Sequence, residues 1–384
     1  MRSSGKWFSD FCPSNLPRPK ESVKIETPTF VASYNWKNSD NPVIFVPGCP
    51  AKWSPPDLPY QVLKDNGQAF IDQNSHRIPS ASFDPFFKAL LTMNPDFNMT
   101  PIELITDRNS LRKLLRVVSG KVSQSWRIDV DIIQDTMFFT RWEEHQVQII
   151  TGSRDSGYGH EFEKAFLKFD TALQESSGHH RIIRYSLGGI ECLVRFEADG
   201  YISDDPDVVD RILTKTIDGS PAPMDEIGAL SLLQIQDSIA ATEVQVIERG
   251  CIVNDDDILE LKSCSANLRM QEDIPQLWIS QTQHLFVGRH QKGLVETEPE
   301  KIEMTDHFPI WEYQNQEQLS SLVGLITEIK EAARGSKVGQ LMLVYKMEER
   351  PNVLRLYERT GKGLWLPSGT REICWGRKDG DREH

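Results

Sequence analysis

The stretch HHRIIRYSLGGIECLVRFEAD, residues 179–199, sets the first limit on what this chain can fold into. Ile182 to Tyr185 and Ile190 to Phe196 are apolar-rich runs on either side of Gly188-Gly189. Paired glycines between two such runs are the chemistry of a two-residue hairpin turn. Further strand-like runs follow the same habit: Val43–Val46 ahead of the turn residues Pro47, Gly48, Pro50, Pro55 and Pro56; WRIDVDII; DTMFFTRW; VQVIERG; DDDILELKSCS; and LFVGRHQKGLV. Near the end, LMLVYKMEERPNVLRLYER reads as a second hairpin turning at Glu349–Asn352. An all-helical fold is excluded.

Helices interleave with these strands. Leu111, Leu114, Leu115 and Val118 recur at i, i+3, i+4 and i+7, which predicts a helix over 106–118 with Thr106 or Asp107 as its cap. SGYGHEFEKAFLKF is a glycine-containing entry into an amphipathic helix. Others are expected over 226–243, in the first part of 274–296, and over Gln316–Ala333. Residues 1–38 are polar and Pro/Ser-rich, which predicts a loosely structured N-terminal arm laid over the surface. Residues 39–384 then form a single domain, with an acidic insertion at about 202–256. With no internal repeat, the economical fold class is α+β, a single domain with a mixed central β-sheet flanked by helices.

Composition narrows the functional classes. In 384 residues there are 56 Asp+Glu against 43 Lys+Arg, a net charge of −13, which disfavours coating nucleic acid by charge alone. A local basic patch with metal ions remains compatible with gripping one phosphate end. No apolar run reaches the ~18–20 residues that span a bilayer, and the opening MRSSGKWFSDFCPSN lacks an apolar signal core. Six scattered cysteines without a CxxC pair read as reduced thiols of a nuclear or cytoplasmic protein, not a zinc module.

Short acidic triplets carry the chemistry. Residues i and i+2 on a strand share a face. Glu197 and Asp199 therefore present two carboxylates together, and Glu260 stands beside the ammonium of Lys262. Glu163 closes the GHEFE element, and Arg108 opens the basic helix containing Arg112, Lys113 and Arg116. Carboxylates converging on one patch are costly unless cations neutralise them, and hard oxygen ligands select Mg²⁺ or Mn²⁺. A lysine beside them can orient a water for in-line attack on a phosphate linkage, the logic of PD-(D/E)XK nucleases. Glu328 and Lys330 form a competing Glu-x-Lys, but helical spacing there would turn them about 200° apart, so that pair is rejected.

These residues resemble the motifs of the DXO-type decapping and deNADding exonuclease family, in a divergent fungal-like branch. RNSLRKLL (Arg108–Leu115) is similar to its R-G-x-L-x-x-L-L motif, with Asn in place of Gly. Gly159 to Glu163 resembles Gly-aromatic-x-aromatic-Glu, with His160 at the first aromatic place. Arg184 to Gly188 followed by Glu197-Ala198-Asp199, and Glu260-Leu261-Lys262, complete the set. The sixty-one positions between Asp199 and Glu260 exceed the family's usual spacing. The resemblance implies a PD-(D/E)XK-like fold and two Mg²⁺ or Mn²⁺ ions. Glu163, Asp199, Glu260 and the Leu261 carbonyl would ligate the catalytic metal, and Glu197 a second metal or its water. Lys262 would position the attacking water, Arg108 would contact terminal phosphates or a cap, and Gln281 the RNA backbone. It further implies hydrolysis at RNA 5′ ends: decapping of incomplete or NAD-type caps, 5′-triphosphate hydrolysis, or 5′-3′ exoribonuclease action in RNA quality control. The alternatives are a weakly catalytic partner that stabilises a 5′-3′ exoribonuclease, and a DNA-directed PD-(D/E)XK nuclease.

Plainer readings stand beside these. His179-His180 reads as a surface or turn pair, since neighbours on a strand face opposite ways. Arg112, Lys113 and Arg116 read as the solvated face of a helix, and the tryptophans as packing. Asp255-Asp256-Asp257 with Glu260 looks like a prenyl-diphosphate synthase motif, which a strand-rich chain does not suit.

Overall fold

The computed structural model describes residues 5–203 and 243–376, apart from 267, 338, 350–352, 361–362 and 367–368. The helix expected over 226–243 and most of the expected insertion lie outside them, as does part of the turn at Glu349–Asn352. Among the described residues, eleven strands form one mixed sheet. Their spatial order is Gly5–Phe11, Leu354–Arg359, Gln340–Tyr345, Trp126–Ile133, Thr136–Trp142, Leu104–Asp107, Ile190–Glu197, Ser176–Leu187, Ile25–Lys37, Val43–Gly48 and Gln245–Gly250. The central hairpin pairs Arg181 with Phe196 and Leu187 with Ile190, and it turns on Gly188 and Gly189 at φ +54° and +91°. Both glycines take the left-handed conformation that a two-residue hairpin of this twist requires.

Alternation decides what each face packs. Phe139 points into a core shared with the helices Arg108–Val118, Met270–Ser280 and Gln316–Gly335. Its neighbour Phe138 points into a second core with Phe83, Phe86 and Phe87 at the helix Asp84–Met93. The sheet thus carries helices on both faces in one α+β domain. Among the described residues no helix is long and apolar enough to cross a membrane.

The expected N-terminal arm is a correction. Residues 5–11 form one edge of the sheet, and Ile25–Lys37 is an interior strand between the hairpin and Val43–Gly48. Val31 to Trp36 are all buried, so both faces are covered and no polar alternation marks the strand. The register slips between Arg184–Thr29 and Ser186–Glu26, which leaves Thr27 and Pro28 in an irregularity. A proline is tolerated at such a break, and its presence disguises the strand. Within the expected insertion, Gln245–Gly250 runs parallel to Val43–Gly48 as the opposite edge of the sheet.

A second, six-stranded sheet runs Leu167–Lys168, Ala51–Trp53, Gly200–Tyr201, Ile258–Cys264, His284–Arg289 and Glu300–Glu303. The chain leaves the large sheet at Glu197 and enters the small one at Gly200, which pairs with Leu259. Asp199 sits at that crossing.

Candidate active site

The crossing brings Glu197 and Asp199 to Glu260 and Lys262 despite the distance between them in sequence. Antiparallel pairing of Gly200 with Leu259 sets the register, and the Leu261 backbone N–H donates to Asp199 Oδ2 at 2.8 Å. Glu260, 3% exposed, accepts from Lys262 Nζ at 2.8 Å through Oε1 and from Arg108 Nη1 at 3.2 Å through Oε2. Burial pushes the Glu260 pKa up, but the charges of Lys262 and Arg108 outweigh it and hold it at about 2. Glu260 in turn raises the pKa of Lys262, so both stay charged at neutral pH.

The other three carboxylates respond the opposite way. Desolvation, then the charge of Glu260, pushes Asp199 up to about 7. Desolvation and then Asp199, Glu197 and Glu260 push Glu163 well above its ordinary value. Glu197 is raised by its dense surroundings, against the pull of Arg108 and with the push of Glu260. Its side chain is nevertheless exposed to the cleft. Glu163 belongs to the helix Gly159–Phe166, which is seated by Phe162 lying directly over Gly288 of the His284–Arg289 strand. Four acids that repel one another, with two paired cations, are a donor set of hard oxygens suited to divalent cations. Among the described residues no three of these side chains are grouped closely enough to form a closed cage.

Arg108 is positioned by the residue before it. Asp107 takes the N-cap position but its carboxylate caps nothing; it accepts from buried Arg195 at 2.6 and 3.1 Å. The cap expected from Thr106 or Asp107 is therefore replaced by an ion pair across the parallel strands, where Arg195 and Asp107 are register partners. Ser280 Oγ, 3.3 Å away, also accepts from Arg108 Nη1.

Gln281 is placed differently from expectation. It ends its helix at φ +51°, donates from Nε2 to the Trp278 carbonyl at 2.6 Å, and lines a neighbouring cavity with Arg181 and Asp255. Gln276 occupies the site instead, donating from Nε2 to Glu260 and accepting from Arg112. Asp273, Gln276 and Ser280 fall at i, i+3 and i+7, one helical face, and that spacing is the signal by which sequence could have found them. Burial raises the pKa of Asp273, against the pull of Lys262 and with the push of Glu260.

Beside the acids opens a cavity of about 230 Å³ whose lining includes Arg108, Arg112, Arg141, His180, Glu197 and Gln276. Two plainer sequence readings fail here. Lys113 is buried and bonded to Glu143 at 2.8 Å, and Arg112 faces the cavity, so the basic helix is more than a solvated face. His179 and His180 are both buried, because the strand holding them is covered on both sides. His179 Nδ1 lies 2.5 Å from Asn35 Oδ1, and His180 stacks on Tyr34 at 5.0 Å between ring centres. The rejected Lys330 is a buried helix residue bound to Glu103 at 2.7 Å, away from this cluster.

Similar folds are known. Rai1 of S. pombe in complex with 3′-FADP superposes with a TM-score of 0.58 at 12% identity, over 91% of this chain and 99% of that one. Rai1 of Scheffersomyces stipitis in complex with (3′-NADP)+ and calcium ion gives 0.58 at 13%, over 95% and 99%. Rai1 of Candida albicans in complex with pU5-Mn2+ gives 0.54 at 12%, over 91% and 93%. No curated protein matches the chain. The fold is that of the DXO-type decapping exonucleases, and the match of residues 22–375 shows that the chain belongs to the DUF8563 family, described as a domain of unknown function.

Proposed function

We propose that this protein is a divalent-metal-dependent hydrolase of phosphate linkages at RNA 5′ ends. One observation carries the reading: a buried carboxylate held ionised by Lys262 and Arg108 stands among three carboxylates forced upward in pKa, beside an arginine-lined cavity. The fold supports it, since its structural relatives bind 3′-FADP, (3′-NADP)+ or pU5 together with, in two cases, calcium or Mn²⁺.

Glu163, Glu197, Asp199, Glu260 and the Leu261 carbonyl would hold Mg²⁺ or Mn²⁺. A bound divalent ion supplies Lewis acidity and neutralises the charge that develops on phosphate. Lys262, anchored to Glu260, orients the attacking water through its remaining N–H donors. Glu197, open to the cleft and raised in pKa, is placed to accept that water's proton. Arg108 holds a phosphate oxygen near Glu260, and Gln276 fixes the carboxylate it serves.

One RNA bearing triphosphate, unmethylated cap, NAD, monophosphate or hydroxyl ends, incubated with Mn²⁺, Mg²⁺ or chelator, tests the proposal. Metal-dependent products are expected from at least one end, falling at least a hundredfold in Glu260→Gln. Absence of product from every end, with the protein folded, would sink it.

A further inference from the structure

Arg112 is the unbalanced cation of the cleft. Arg108 pairs with Glu260, Arg195 with Asp107, and Arg141 with Glu143 at 2.8 Å. Among the described residues Arg112 makes no ion pair; its Nη1 donates to the neutral amide oxygen of Gln276. It is half-buried, and burial followed by the cations Arg116 and Arg108 lowers its pKa to about 10. It is still charged at neutral pH and feels Glu260 and Asp273 only from beyond ion-pair distance, so among the described residues the protein holds a partly desolvated guanidinium beside like charges with no carboxylate in direct contact. Such an arrangement is costly alone and favourable around an anion, above all one that a planar fork can grip at two oxygens.

The same cavity carries unsatisfied neutral groups. Gln73 Oε1 and His180 Nδ1 belong to side chains only 4% exposed, and neither has a hydrogen-bond partner among the described residues. Asn109 Oδ1, a buried atom of a half-buried residue, has none among them either. Burial holds His180 neutral, with Arg195 and Arg108 adding to the effect. Buried polar atoms normally have partners, so these mark where a ligand's hydroxyl or amino groups complete the set. A cavity with an uncompensated cation and orphan neutral groups fits a nucleotide better than a bare anion.

We propose that Arg112, acting with Arg108 and Arg141, binds a terminal phosphate of the 5′ end beyond the one at Glu260, and so selects ends that carry more than one phosphate. Arg112 lies one turn, about 6 Å along the helix axis, from Arg108, which separates the phosphate each serves. The inference rests on the 5′-end reading above, and its first test involves no hydrolysis.

The full chain in metal-depleted buffer is titrated with sodium pyrophosphate by calorimetry, as wild type, Arg112→Met and Arg116→Met. Pyrophosphate binding should weaken at least tenfold in Arg112→Met and only slightly in Arg116→Met, which lies outside the cavity lining and acts on Arg112 through its charge alone. The melting temperature of Arg112→Met should equal or exceed that of wild type, because a repelled charge is removed; a merely structural arginine would lower it. If the Met variant does not fold, Arg112→Gln carries the same expected tenfold loss. A second arm compares binding of 5′-triphosphate and 5′-hydroxyl RNA in the Glu260→Gln background. The preference for triphosphate should collapse toward unity when Arg112 is also replaced. Wild type that ignores pyrophosphate, Arg112 variants that bind it normally, or an unchanged triphosphate preference would each overturn the proposal. A positive titration with no product from any RNA end would sink the hydrolase reading instead.

Discussion

Glu260 and Asp199 lie within one small volume, yet neighbouring charge drives them in opposite directions. Two cations hold Glu260 ionised, while burial, with that same Glu260 charge added, raises Asp199 to about 7. Removing one member therefore relaxes the other, which is why single substitutions here should be strongly non-additive. Asp84 offers a cleaner case far from these acids. It is fully buried; Oδ2 accepts from the Val244 N–H at 2.7 Å, while Oδ1 has no partner among the described residues. Burial raises its pKa to about 6. The folded protein thus holds this proton more tightly than the unfolded chain, so the stabilisation is complete below about pH 4 and lost as pH rises through 6. Asp84→Asn keeps an acceptor for Val244 and discards the charge. Its stability relative to wild type should rise by about 1.4 kcal/mol between pH 5 and pH 7.5 in urea unfolding. An equal difference at both pH values would remove the burial argument.

At the scale of elements, the helix Gly159–Phe166 is placed by a single close approach. A Cβ on Gly288 would fall 2.0 Å from Phe162 Cζ, so alanine there cannot be accommodated without moving the helix that carries Glu163. Gly288→Ala should cost about 1–3 kcal/mol by overpacking, visible as a lowered melting temperature, and reduce any RNA-end hydrolysis. Adding Phe162→Leu should recover part of the stability; an additive double mutant would show that the two residues do not meet. These elements differ in how legible they were. The hairpin was plain because Gly188-Gly189 marks its turn between two apolar runs, and the amphipathic helix at 108–118 because its one apolar face prints its period. Ile25–Lys37 was hidden, since a strand covered on both faces and broken at Thr27-Pro28 has no period to read. Gln276 was missed for a related reason: nothing in a local motif tells which turn of a helix faces a carboxylate on a distant strand.

Across the whole molecule, the acids sit where one sheet hands the chain to another, so cation binding should report on the fold as a unit. Mn²⁺ at a hundredfold over its dissociation constant should add about 2.7 kcal/mol to unfolding stability if only the folded state binds it. The gain should vanish with chelator and shrink in Asp199→Asn, as measured by calorimetric scans. An unchanged transition in wild type would show that these carboxylates do not assemble a cation site. Net charge argues in the same direction. With an excess of thirteen acidic charges, binding of a phosphate end depends on the local group of Arg108, Arg112 and Arg141 and not on the surface at large.

Strand alternation alone determined that Glu260 accompanies Lys262, because i and i+2 share a face wherever a strand forms; it predicted the same of Glu197 and Asp199, but Asp199 lies just past the end of the strand that closes at Glu197. Helical period alone ruled out Glu328 and Lys330. Only the tertiary structure decided that these two pairs meet. Their meeting depends on the pairing of Gly200 with Leu259 across sixty-one positions, a non-local register that no local pattern encodes. The same holds for Arg112: its sequence neighbours describe a basic helix, and only packing shows that, among the described residues, it is the cavity arginine without a carboxylate in ion-pair contact. Local periodicity is a property of the backbone, whereas desolvation and charge balance belong to whatever the fold brings alongside.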